Sequence, residues 1–74
     1  MKITVESTTK IVELNGVPAR VWEGYTESGI LVHCFITRIA CHWEADATEF
    51  ERELREQRAP MNPDIQAYPF RLIL

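Results

Sequence analysis

Lys10-Ile11-Val12-Glu13-Leu14-Asn15-Gly16-Val17-Pro18-Ala19-Arg20-Val21 decides how this chain folds. Asn and Gly both tolerate the positive φ that a type I′ turn requires, and that turn joins antiparallel strands without fighting their twist. The flanks are rich in Ile, Val and Leu, so the stretch predicts a β-hairpin. Leu14 and Val17 then close the turn. Pro18 has no N–H and must sit where the ladder needs no donor. With Leu14 opposite Val17, Pro18 turns away from the first strand, and pairing on its other side starts only beyond it.

Outward from the hairpin, Glu27-Ser28-Gly29 predicts a second turn, with Gly29 in the left-handed position of a three-residue loop. A third strand follows from Ile30 to about Cys41, β-branched and aromatic as strands prefer. Upstream, Ile3 to Glu6 either starts the first strand or forms a short one of its own. Asp46 predicts a helix N-cap, with Glu49 reaching back in a capping box. That helix should run to about Arg58, because Pro60 blocks much continuation. Ala47, Phe50 and Leu54 form a narrow apolar stripe along it. Glu51 and Arg55 are spaced for an i,i+4 pair. A loop from Pro60 to Pro63 leads to a last strand, Tyr68 to Leu74, with Phe70, Leu72 and Leu74 on one face. The expected fold is α+β, an antiparallel β-meander of three to four strands with one amphipathic helix and a C-terminal strand (β-β-β-α-β), and residues 1–74 form a single domain.

A chain of 74 residues has little core to work with. It buries only about 60% of the surface that its unfolded form exposes. Such domains usually gain stability from disulfides, metals or partner subunits. Cys34 and Cys41 do not offer a disulfide. Along an extended strand they lie roughly 23 Å apart, against the about 4.4–6.8 Å between Cα atoms that a disulfide needs. They read as buried free thiols in a reducing compartment. Met1 to Lys10 lacks the apolar stretch of a secretory signal. The apolar run Ile30 to Ile36 is too short to span a bilayer. A soluble, cytoplasmic protein without membrane contact is expected.

Net charge is −3 and unevenly spread. Residues 44–56 hold six acids and two arginines, and the other residues hold five acids and six basic side chains. No basic cluster suits a phosphate backbone, so direct nucleic-acid binding is not expected. The glycines are isolated and form no phosphate loop. No aromatic-and-basic RNA-binding signature is present.

Two groups of residues invite a chemical reading. His33-Cys34 and Cys41-His42 suggest zinc, but strand neighbours point to opposite faces and the pairs would lie roughly 26 Å apart if extended. The same geometry separates His33 from Cys34 as a nucleophile and base. The histidines are expected to be partly exposed. The carboxylates of the helix lie on a solvated face, without the burial that shifts catalytic acids. Neither a metal site, a cofactor nor a catalytic residue is expected, and the chain is not expected to be an enzyme.

The strands carry apolar residues on both faces. In the third strand Ile30, Val32, Cys34 and Ile36 alternate with Leu31, Phe35 and Ile39. In the second, Val21 and Tyr25 oppose Trp22. One narrow helix covers one face, so the other needs the last strand's neighbourhood, a second copy or a partner. Trp22, Leu31, Phe35 and Ile39 are therefore the expected apolar partner-binding residues, with Trp22 leading because Trp is enriched in binding hot spots. Trp43 is expected to cap the core where strand meets helix. Glu49, Glu53 and Glu56 form a second candidate surface, facing a basic protein or mimicking phosphates.

The stretches Asn15 to Gly24 (NGVPARVWEG) and Asp46 to Pro60 (DATEFERELREQRAP) resemble pieces of small uncharacterised proteins encoded by bacteriophages, prophages and related mobile elements. The resemblance carries no site residues. It implies a setting, since small phage accessory proteins often bind and disable host machinery, including CRISPR–Cas complexes. The expected function is thus protein binding, as an anti-CRISPR-like inhibitor acting by steric block or acidic mimicry in the host cytoplasm. The alternatives are a homodimeric assembly protein and a small metal- or thiol-dependent enzyme using His33, Cys34, Cys41 and His42.

Overall fold

The computed structural model describes residues 1–62. The predicted last strand, Tyr68 to Leu74, lies outside them. Three antiparallel strands, β1 (Ile3–Leu14), β2 (Val17–Thr26) and β3 (Leu31–Ile36), form one sheet in the order β1-β2-β3, followed by a short helix, α1 (Ala47–Leu54). The described residues are mixed α+β, as the sequence predicts.

Asn15 (φ 50°) and Gly16 (φ 82°) make the first turn, and Leu14 pairs with Val17. Gly29 (φ 87°) makes the second, where Thr26 N–H donates to the Ile30 carbonyl at 3.0 Å and Gly29 N–H returns to the Thr26 carbonyl at 3.0 Å. Gly24 sits where β1 crowds β2. A methyl group there would overlap the Thr4 carbonyl oxygen and come within 2.7 Å of Val5 Cα.

Ile3 to Glu6 is the start of β1, not a separate strand. The register shifts between Ser7–Trp22 and Ile11–Arg20, so Thr8, Thr9 and Lys10 bulge opposite Val21 alone. A bulge of two extra residues preserves parity, and both halves of β1 keep the same facing. The Thr8 hydroxyl fills the gap, donating to the Val21 carbonyl at 2.6 Å and accepting from Lys10 N–H at 3.3 Å.

Two elements are shorter than predicted. β3 stops at Ile36, not Cys41, with its last pair Arg20–Ile36. The next ladder donor along that edge of β2 would be Pro18, which has none. Ile39 to Cys41 therefore leave the sheet. The helix stops at Leu54, not Arg58. Its end tightens through Arg55 N–H to the Arg52 carbonyl and Glu56 N–H to the Glu53 carbonyl. Downstream backbone then bonds to the β1 bulge instead. The Ser7 hydroxyl donates to the Glu56 carbonyl at 2.7 Å, Arg58 N–H to the Ser7 carbonyl at 3.2 Å, and Thr9 N–H to the Arg58 carbonyl at 2.9 Å. A parallel bridge between Thr8 and Arg58 wins over further helical turns.

Candidate interaction face and a buried carboxylate hub

Register sorts the sheet residues into two sides. Ala19, Val21, Glu23 and Tyr25 share one side with Leu31, His33 and Phe35. Trp22 shares the other with Ser7, Ile11 and Val5 across β1 and with Val32, Cys34 and Ile36 across β3. The buried core lies on the first side. Ala19 and Val21 are the buried apolar side chains among the described residues, at 1% and 0% exposure.

Beside them is a buried charge. Glu23 is fully buried, and its carboxylate is the hub of the cluster. Oε1 accepts from Arg58 Nη1 at 2.7 Å and from Met61 N–H at 2.8 Å. Oε2 accepts from Asn62 N–H at 3.1 Å and lies 2.8 Å from His33 Nε2. Arg58 Nη2 also donates to the Glu23 backbone carbonyl at 3.2 Å. Burial alone would raise the Glu23 pKa. The Arg58 guanidinium, the Met61 and Asn62 amides and His33 together outweigh it and lower the pKa to about 2. An ionised carboxylate only accepts, so His33 Nε2 carries a proton in this pair. Residues 58–62 thus form a strap that starts at the β1 bulge and is tied to the centre of the sheet. The His33 side chain is also buried, at 1% exposure, which corrects the expectation of a partly exposed histidine. A solvent-borne substrate has no access to this pair, so its arrangement suits anchoring.

The sequence reading missed Glu23 and Arg58. Glu23 was within reach of sequence reasoning: a loop closed by Thr26 and Ile30 places Glu23 opposite His33 by counting back along both strands. Arg58 gave no such signal, because a distant backbone bridge sets its position.

The expected thiol and imidazole groups do not converge. His33 and Cys34 face opposite sides, and Cys34 lies across from Trp22. Burial pushes the Cys34 thiol above its ordinary value, which opposes thiolate formation. Cys41 Sγ donates to the His42 carbonyl at 3.4 Å, and Glu44 N–H donates to His42 Nδ1 at 3.2 Å. Both cysteines are free, as expected, but they are half-buried and not buried, because Cys34 lies on the incompletely covered side of the sheet and Cys41 lies off the sheet. Among the described residues, no group of three or more His, Cys, Asp or Glu side chains is placed to hold a metal ion. No helix among them is long and apolar enough to cross a membrane.

The expected partner-binding residues do not form one patch. Leu31 and Phe35 lie on the core side, opposite Tyr25 and Val21. Trp22 lies on the other side, half-buried. Ile39, off the sheet and 47% exposed, joins Trp22, Ile36 and Leu54 in lining a shallow recess flanked by Arg20 and Arg38. Arg20 is held there by donating to the Thr8 carbonyl at 2.8 Å. Trp43 does not cap the core. It is 84% exposed and stacks on His42 with ring centres 5.9 Å apart.

α1 contributes Leu54 to this recess but buries no residue of its own. Asp46 caps it, accepting from Thr48 N–H at 2.9 Å and Glu49 N–H at 3.4 Å. The Glu49 side chain does not complete the box; it pairs with Arg52 at 3.0 Å. Arg52 also lies 2.7 Å from Glu56 and 3.8 Å from Glu53. The ion pairs of the acidic face centre on Arg52, and the Glu51–Arg55 pair that the spacing suggests is not among them. Glu49, Glu53 and Glu56 therefore do lie together, around one arginine and well exposed.

No family model, curated protein or solved structure matches this chain.

Proposed function

We propose that this chain is a non-enzymatic protein-binding module whose contact surface is the Trp22 side of the sheet. The observation that carries this reading is the unequal use of the two sides. Ile3, Val5, Ile11, Trp22, Val32 and Ile36 all stand on the Trp22 side, and none is fully buried, while the core and the buried Glu23 lie opposite. An apolar sheet side left half-covered marks an interaction site. A half-buried Trp beside arginines has the composition of a binding hot spot. The resemblance to phage accessory proteins supplies the setting: inhibition of a host complex such as a CRISPR–Cas effector, in the host cytoplasm, by steric block.

The test is capture from the natural host with the full chain and with Trp22→Ala, read by mass spectrometry and paired with circular dichroism. A partner held by the parent chain should be lost with Trp22→Ala while the fold persists. If Trp22→Ala unfolds the chain, Trp22 is core and the contact surface lies elsewhere. Reversing Glu49, Glu53 and Glu56 tests acidic mimicry, which needs all three charges: if target capture is unchanged, mimicry fails.

A further inference from the structure

We propose that the partner seated on the Trp22 side is a second copy of this chain, related by a two-fold axis that lays the basic recess of each copy on the acidic recess of its mate. The inference rests on the reading that this side binds protein, and it puts a second copy there in place of a host target.

A two-fold interface brings the same patch of both copies together, so the patch must be its own complement. Two recesses adjoin here, with Ser7 and Trp22 as their common wall, and the second wraps round the β1 edge to Glu6, which faces the Glu23 side. One continues past Ile36, Ile39 and Leu54 between Arg20 and Arg38, and no acid among the described residues lines it. The other is lined by Glu6, Glu53 and Glu56, with Gln57 and Arg58. Arg58 is shared between the buried Glu23 at 2.7 Å and Glu6 at 3.6 Å. Arg52 pairs with Glu56 and Glu53 from the helix surface and offsets only part of their charge. Carboxylates remain in excess at one end and guanidinium groups at the other, with Trp22 between them.

Rotation about an axis near Trp22 superposes unlike charges at both ends and apolar side chains in the middle. A partner of another kind would need no such internal balance. The thin core adds a reason to associate. With Ala19 and Val21 as the buried apolar side chains of the described residues, a second copy supplies the cover that chains of this length commonly gain from partners.

Sedimentation equilibrium of the full chain, from micromolar to submillimolar concentration, tests the proposal. The parent chain should be a reversible dimer that weakens as salt rises. Arg38→Glu alone and Glu53→Arg alone should each raise the dimer Kd about tenfold or more, because each sets like charge against like at both ends. An equimolar mixture of these two variants should recover a dimer of mixed composition, and the double variant should recover its own. Arg38 lies off the sheet and Glu53 on an exposed helix face, and circular dichroism confirms that each variant folds. A monomer at every concentration overturns the proposal. So does a dimer whose Kd ignores both charge reversals, or a mixture that recovers nothing. A monomeric parent chain that still captures a host protein through Trp22 would sink the dimer and leave the binding surface standing.

Discussion

Glu23 is the residue on which the strap depends. Its carboxylate satisfies four donors from two segments, β3 and the strap, and leaving buried donors unmatched costs more than the net worth of each bond. Glu23→Gln presents an amide NH₂ to at least one of those donors and removes the charge facing Arg58. Breaking a buried, hydrogen-bonded ion pair on one side costs about 3–5 kcal/mol. Urea unfolding at neutral pH should show a loss of that order. The pH dependence has a definite sign. The folded pKa is about 2, below the ordinary 4.5. The stabilisation is therefore complete above the unfolded value and is lost as pH falls from near 4.5 through about 2. The stability gap between parent and Glu23→Gln should shrink across that window. A gap that stays constant from neutral pH down to 2.5 or so would remove the carboxylate's charge from the account. The partnership of Glu23 with His33 was implicit in the second turn, since turn closure fixes register. Their union with Arg58 was not, because it depends on a bridge between Thr8 and Arg58 that no periodicity encodes.

At the scale of elements, local chemistry predicts starts better than stops. Asn15-Gly16, Gly29 and Asp46 each do what their conformational preferences require. The ends of β3 and α1 are set by distant backbone. Pro18 withholds a donor from β3, and the bulged edge of β1 takes up the backbone after α1. A helix that buries no side chain draws much of its order from its ends. Asp46→Ala should cost α1 about 1 kcal/mol. Because α1 is not packed into the core, the loss should stay local. Hydrogen exchange should quicken at the amides of residues 49–54 while those of β2 keep their protection. Equal acceleration in β2 would mean that α1 and the sheet unfold as one unit.

Among the described residues the sheet has a closed side and a less covered one. The even and odd apolar sets of β3 made two apolar sides legible in advance. They did not say which would be closed, and the strap tied down by Glu23 decides it. The helix went to the other side and covered it incompletely. Two tryptophans report on this arrangement separately. Trp22 stands at the wall between the two recesses, and Trp43 projects into solvent against His42. Trp43→Phe removes a side chain with little buried surface, so the unfolding midpoint should barely move. In that variant all tryptophan emission comes from Trp22. If copies meet on the Trp22 side, its emission should shift to the blue as concentration rises, because water leaves the indole. Adding Arg38→Glu should hold the emission at its dilute value over the same range. A shift that persists with Arg38→Glu would place Trp22 in a contact that the charged recesses do not govern. A Trp43→Phe chain with no shift, yet dimeric by sedimentation, would move the contact away from Trp22 altogether.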